Sequence, residues 1–420
     1  MAKYIAKRIR FRNGERLSVL HALGGLPVHE ATLFLGRFRR KGRAANTIHA
    51  VCSVLAFLYQ ELEKSKVNLL GRLGQGRFLT IPELERLASA AQFRVNDMSE
   101  VEDDSKATVV HMARIRLRMK VDGQQQLKPV DIATQAMRLR YMAEYLEFVS
   151  DYVGADLPAP QREKLKQESA SSLKAFRAHV PPVSKRAKLD ARVGLSEEEQ
   201  QRLMQVVHPD SPENPWNRGY VRLRNWVIVM VLLATGMRRG ELLGLQTGDL
   251  DATQPKLRIY RRADAVEDRR RNQPGTKTYD REVELTPSIT RVLWSYINKD
   301  RWQIKAARVI PQIFVSDEGE PLSLSSIDKL FVQLREACPG LPGKLTSHVM
   351  RHTWNERFSE QADALGLSNA EEEGARNDQQ GWSPHSKMSR TYTRRHTERK
   401  GRAVTLKLQE NLDAELKRNE

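Results

Sequence analysis

The chain has 420 residues, 40% of them hydrophobic, and a formal net charge of +18. That length accommodates two domains of roughly 100–200 residues, and the cationic excess points to a polyanionic partner, nucleic acid or an anionic membrane surface. A membrane span needs ~18–20 apolar residues in a row, and the best run, WVIVMVLLA (226–234), covers nine, which leaves nucleic acid as the expected partner and no membrane.

The N-terminal MAKYIAKRIRFRNGERL is basic without the apolar core of a secretory signal. Residues 1–19 read as a basic N-terminal segment. Residues 1–50 contain eleven Lys/Arg against two acids, Glu15 and Glu30, which is half of the whole positive excess. The densest run holds Arg37, Arg39, Arg40, Lys41 and Arg43. A solvated helical face usually mixes signs. This one does not, so these five are candidate phosphate contacts.

Residues 20–155 are predicted to be mostly helical. Ile48, Val51, Leu55 and Leu58 recur at helical spacing. Thr80 and Glu83 have capping-box spacing ahead of a helix with Pro82 in its first turn. Tyr141, Tyr145, Phe148 and Tyr152 form a stripe read as core rather than as a base-stacking platform. Residues 156–194 read as a linker that contains a charged helix candidate and ends in HVPPVSKRAKLDARVG. Its Lys185, Arg186 and Lys188 are either a basic strap along a DNA backbone or a solvated tether.

A second domain is expected over 195–400. Ser196 and Glu199 repeat the capping-box spacing, and the apolar run 226–234 reads as a buried helix. KLRIYR (256–261) and REVELT (281–286) alternate as strands do, and IFVSDEG (313–319) reads as a short strand and turn. Helices return from Ser325 to Ala337 and from Ser347 onward. Residues 401–420 form a polar helix candidate whose leucines need a surface, on this chain or in trans. Cys52 and Cys338 are far apart and no CxxC occurs. Neither a disulfide framework nor a zinc ribbon is supported, and a reduced cytoplasmic setting follows.

Four blocks carry candidate chemistry. In ATGMRRGELLGLQTGDLD (234–251), Arg238 and Glu241 are three apart and can pair, which would fix the arginine as a phosphate clamp. In GTKTYDREVEL (275–285), Lys277 sits in a loop before a strand. In TSHVMRHTWNE (346–356), His348, Arg351 and His352 fall within five residues. His348 and His352 lack the Glu that a metalloprotease helix places after its first His, so no metal is expected. In QQGWSPHSKMSRTYTRRH (379–396), Tyr392 is flanked by Lys387, Arg390, Arg394 and Arg395, cations that stabilise a phenolate.

In order and spacing these blocks resemble the tyrosine recombinase (phage integrase) family. TGMRRGELLGLQTGDLD is similar to its first arginine box and TKTYDREVEL to its lysine-bearing β-hairpin. HVMRHTW is similar to its His-x-x-Arg-His box and GWSPHSKMSRTYTRRH to its closing His/Trp and tyrosine region. The likeness covers about residues 195–396, and RKGRAANTIHAVCSVLAFLYQ more weakly resembles the preceding core-binding domain. The spacing from His348 to Trp382, 34 residues, places an insertion at EEEGARNDQQ.

The resemblance implies a mainly α fold with a small antiparallel β-sheet. It implies a two-domain C-shaped clamp of a helical core-binding domain (20–155), here enlarged by an insertion around residues 64–130, and a mixed α/β catalytic domain. It assigns Arg238 and Arg351 as clamping arginines, Lys277 as general acid, His348 as a proton-transfer partner and Trp382 as a phosphate donor, with His385 the alternative. Glu241 and His352 are supporting residues and Tyr392 is the nucleophile. The implied reaction cuts and rejoins double-stranded DNA through a 3′-phosphotyrosyl bond with no cofactor. Four protomers would act on two duplexes, with a monomer or weak dimer when free, in the bacterial cytoplasm at the nucleoid. Two alternatives stay open: a type IB topoisomerase-like relaxing activity and a non-catalytic DNA-binding regulator.

Overall fold

The computed structural model describes residues 4–22, 24–93, 129–182, 194–386, 388 and 394–416. The candidate residues Lys185, Arg186, Lys188 and Tyr392 lie outside that set. The described residues are mainly helical, with two small antiparallel sheets among them. Apart from the tip Arg12–Gly14, the chain divides into two compact units, one ending at Ala187 and the other beginning at Lys188.

The first unit opens with a hairpin, β1 (Tyr4–Arg10) and β2 (Arg16–Ala22), paired in register from Tyr4↔Ala22 to Arg10↔Arg16. Residues 1–19, expected as a basic segment, therefore contain one strand and half of another. The turn holds Asn13-Gly14, and Gly14 sits at φ 86°, a conformation that glycine adopts without steric cost. Next come α1 (His29–Arg40), α2 (Ala45–Lys64), α3 (Leu69–Leu73), α4 (Ile81–Ala90), α5 (Ile132–Gly154) and α6 (Ala159–Ala178). Helix α2 buries ten residues, from Ile48 to Leu62, and packs on the hairpin, α1 and α5. The Glu83 carboxylate accepts from the Thr80 N–H at 2.8 Å and so fixes the start of α4.

The aromatic stripe of α5 is core at its centre. Tyr145 is fully buried, its ring lies 5.3 Å from Phe34, and its hydroxyl is 2.5 Å from that of Tyr59. Burial pushes both phenols well above their ordinary range. It also pushes the Cys52 thiol up to about 12. At the outer end of the stripe Tyr152 is exposed and stacks on Phe148. Helix α6 lies within the stretch expected as linker, and it buries Leu165, Leu173 and Phe176 in the core of this unit.

The second unit contains α7 (Glu197–Val207), α8 (Gly219–Thr235), the short α9 (Arg239–Gly244) and the sheet β3 (Leu250–Asp251), β4 (Lys256–Ile259), β5 (Arg281–Glu284). Helices α10 (Pro287–Ser295), α11 (Leu324–Ala337), α12 (Ser347–Ala364), α13 (Asn369–Gln379) and α14 (Arg394–Leu416) follow. Helix α7 starts at a complete capping box, with Ser196 and Glu199 satisfying each other's backbone N–H at 3.2 and 2.7 Å. Helix α8 carries the apolar run and packs along α12. Leu257, Ile259 and Val283 turn the sheet's inner face into the same core. IFVSDEG, expected as a short strand, forms a turn closed by one isolated bridge, Val315↔Pro321. EEEGARNDQQ lies largely in α13, whose Arg376 is buried and bonds Ser359 at 2.7 Å. No helix among the described residues is long and apolar enough to cross a membrane.

Candidate active site

The site of the second unit is built around the end of α8. Gly236 terminates that helix at φ 59°. A Cβ there would lie 2.7 Å from the Trp354 ring, so only glycine fits both the backbone and the neighbour. The freed Gly236 carbonyl accepts from Arg351 Nη1 at 2.8 Å. Arg351 projects from the first turns of α12 and is 1% exposed. Thr346 starts that helix by accepting from the Val349 N–H at 3.4 Å.

Two residues beyond Gly236, Arg238 has extended backbone at the start of α9. Glu241, three residues on, has a side chain with no exposure. Its carboxylate accepts from the Arg238 N–H at 3.1 Å, Arg238 Nη1 at 3.3 Å, Thr278 Oγ1 at 2.8 Å and Arg281 Nη2 at 2.7 Å. Burial alone would raise this carboxyl. The guanidinium charges of Arg281, Arg351 and Arg238 outweigh burial and hold it below its ordinary value. The Arg238–Glu241 pair is present, yet Arg281 makes the shorter of the two arginine bonds.

Arg281 Nε also donates to the Gln379 carbonyl at 2.9 Å. The Tyr279 N–H donates to the Gly381 carbonyl at 2.8 Å. The β4–β5 connection is thereby tied to the segment that delivers Trp382, whose buried ring lies 5.1 Å from the Arg351 guanidinium carbon. A guanidinium over an indole face is a favourable cation–π arrangement. His385, the alternative donor, is exposed. His352 is buried and His348 half-buried, with their rings edge to face at 4.9 Å. Lys277 is exposed, in the loop between Gly275 and Thr278.

Arg238, Glu241, Arg351 and Trp382 thus come together at one end of α8, with the Lys277 loop held beside them. Thr278 and Arg281 belong to the same cluster, and nothing in the sequence pattern singles them out. Two forked cations held in place around one buried counter-carboxylate can grip the non-bridging oxygens of a phosphate.

The basic candidates of the first unit divide. Arg39 is tied to Glu15 at 2.9 Å, and Arg37 lies over the Phe148 ring at 5.1 Å. Arg40, Lys41 and Arg43 are exposed at the end of α1 and the turn that follows.

Residues 194–365, which contain this arginine pair, match the model of the phage integrase family. The relatives that this part of the chain resembles are tyrosine recombinases. The match includes Arg238, Lys277, His348 and Arg351 and stops before Trp382 and Tyr392. Among relatives, tyrosine recombinase XerD of Halalkalibacterium halodurans is 26% identical over 34% of this chain and 42% of its own length. XerC of Rhodospirillum centenum is 27% identical over 34% of this chain and 36% of its own. The matched stretch thus spans less than half of either relative. The crystal structure of XerA recombinase aligns over 87% of this chain and 93% of its own, at 18% identity and a TM-score of 0.34.

Proposed function

We propose that this chain is a site-specific DNA recombinase that cuts and rejoins duplex DNA through a 3′-phosphotyrosyl intermediate. The observation that carries the reading is the convergence of Arg238 and Arg351 on the Gly236–Glu241 segment, both held by bonds the fold supplies. The Tyr392 phenol oxygen attacks the phosphorus. The P–O5′ bond breaks, and the 3′ phosphate stays on the tyrosine. Charge that builds on the non-bridging oxygens is met by the two guanidinium groups, donors in place before the reaction starts. The Lys277 ammonium gives a proton to the departing 5′ oxygen, and His348 receives the phenolic proton. The Trp382 indole N–H can donate to the phosphate and cannot accept. Rejoining runs the same steps backwards with a 5′-hydroxyl from a partner duplex. One ester replaces another, so bond energy is conserved and ATP is not consumed.

Four protomers on two duplexes make such an exchange reciprocal. Arg40, Lys41 and Arg43 supply sequence-independent phosphate contacts, and Lys185, Arg186 and Lys188 extend them. The enlarged N-terminal half favours service to a mobile element, in integration, excision or transposition.

The test is incubation of the full chain with a pool of nicked random-sequence duplexes, followed by denaturing capture. The expected product is a denaturation-resistant protein–DNA adduct that forms in EDTA and is absent for Tyr392→Phe. Sequencing the captured junctions defines the cleaved site. Failure of the wild-type chain to form any adduct favours the regulator reading. Relaxation of supercoiled plasmid with no requirement for a particular sequence favours the topoisomerase-like one.

A further inference from the structure

Lys277 poses a geometric problem. A general acid must stand within hydrogen-bond reach of the leaving oxygen, yet this lysine is exposed in a connection of 21 residues between β4 and β5. A long flexible tether would spread its ammonium over many positions. Two independent observations show that the backbone on either side of Lys277 is held.

On the upstream side, Gly275 lies against the start of α9. A Cβ placed on Gly240 would stand 2.8 Å from the Gly275 carbonyl oxygen, so the two backbones touch and residue 240 has no room for a side chain. Further back, Gln273 Nε2 donates to the Arg262 carbonyl at 2.6 Å, and Arg262 is forked onto Asp249 at 2.8 and 2.5 Å. On the downstream side Thr278, 5% exposed, donates its hydroxyl to Glu241 Oε1 at 2.8 Å. Glu241 Oε1 is the same oxygen that accepts from Arg238 Nη1.

The geometry points to Thr278 as a positioning residue for the neighbouring Lys277: its hydroxyl pins the loop to the carboxylate that also orients Arg238. The proposal rests on Lys277 being the general acid of the reaction proposed above. One buried oxygen then sets the distance between the group that holds the phosphate and the group that protonates its leaving oxygen. Thr278 touches neither DNA nor the reacting atoms, and its effect passes through Lys277.

The chemistry of the leaving group separates this role from a structural one. A sulfur at the 5′ bridging position leaves as a thiolate and needs no proton donor, so a defect confined to general-acid delivery vanishes on that substrate. The probe is the duplex recovered by covalent capture, resynthesised with either oxygen or sulfur at the cleaved 5′ position. Thr278→Val keeps the shape and removes the hydroxyl; Thr278→Ser keeps the hydroxyl. Single-turnover cleavage at saturating protein is compared for both, with Lys277→Ala and the wild-type chain.

Thr278→Val is expected to cleave the oxygen substrate about 10- to 100-fold more slowly, a partial loss of the roughly 10²–10⁴-fold that general-acid catalysis contributes. It should come within a few-fold of wild type on the sulfur substrate, at unchanged DNA affinity. Thr278→Ser should track the wild type on both. Wild-type rates for Thr278→Val on oxygen overturn the proposal. So does a defect that persists on sulfur while Lys277→Ala is rescued, because Thr278 is then supporting Arg238 or the fold. If Lys277→Ala itself fails to recover on sulfur, the general-acid assignment falls and takes the proposal with it.

Discussion

Arginine occupies two kinds of place in this molecule. At the end of α1 and in the following turn, Arg40, Lys41 and Arg43 stand exposed with their charges toward solvent. Around Gly236, Arg351 and Arg281 are almost wholly buried, and Arg238 is partly so. The exposed set can act only through summed charge, screened within about 10 Å by ordinary salt. The buried set has no such freedom. Each guanidinium has a fixed partner, and three of them share the field of Glu241. The first arrangement suits holding any phosphate backbone, and the second suits holding one phosphate in one orientation.

The sharpest way to break this contrast is to neutralise the shared carboxylate. Glu241→Gln leaves the buried guanidinium groups without their counter-charge. It should cost about 3–5 kcal/mol of unfolding free energy in urea. Its pH dependence carries a sign. The Glu241 carboxyl is held below its ordinary 4.5 in the folded chain. Its contribution is therefore complete above that value and disappears as pH falls through the lower folded value. Wild type should lose this increment in acid and Glu241→Gln should show no such loss. A variant that unfolds with the wild-type midpoint at both pH 7 and pH 4 would show that the cluster is not electrostatically coupled.

Next in size is Arg351→Lys, which keeps the charge and removes the fork. Cleavage of the captured duplex should slow about 10²–10³-fold, the cost of removing one preorganised donor, while DNA affinity changes little. Smaller still is the triple change Arg40→Ala, Lys41→Ala and Arg43→Ala. It should reduce the slope of log affinity against log salt by up to about 3, since each phosphate the chain no longer neutralises takes away about 0.9. The rate at saturating protein should stay at the wild-type level. A triple variant that slowed cleavage at saturation without touching the salt slope would erase the distinction between the two sets.

The parts of this architecture that are readable in sequence are those written in local patterns. Helix α2 shows its periodicity from Ile48 to Leu58, and the α7 cap shows in Ser196 and Glu199. The β4 and β5 strands show as alternation. The opening hairpin also has a signal, Asn13-Gly14 between two short runs. Its flanks are so basic that charge masks the turn, and Arg10 and Arg16 even face each other across the register. Arg281 gives no local sign at all. It opens a strand as an ordinary charged residue, and its partner Glu241 is forty residues earlier in the chain. Buried charge networks of this kind are defined by tertiary proximity, which periodicity and spacing do not encode. The same holds for Thr278, a loop threonine by pattern and a fixed anchor by its bond to Glu241.

What decides the mechanism most directly is which atom of the protein becomes bonded to which atom of DNA. Tyr392 lies between Arg390 and Arg394, so trypsin releases it in the short peptide Thr391–Arg394. Mass spectrometry of the nuclease-trimmed adduct should find the nucleotide on that peptide, joined through a 3′ phosphate. A nucleotide on any other residue, or a 5′ linkage, would contradict it.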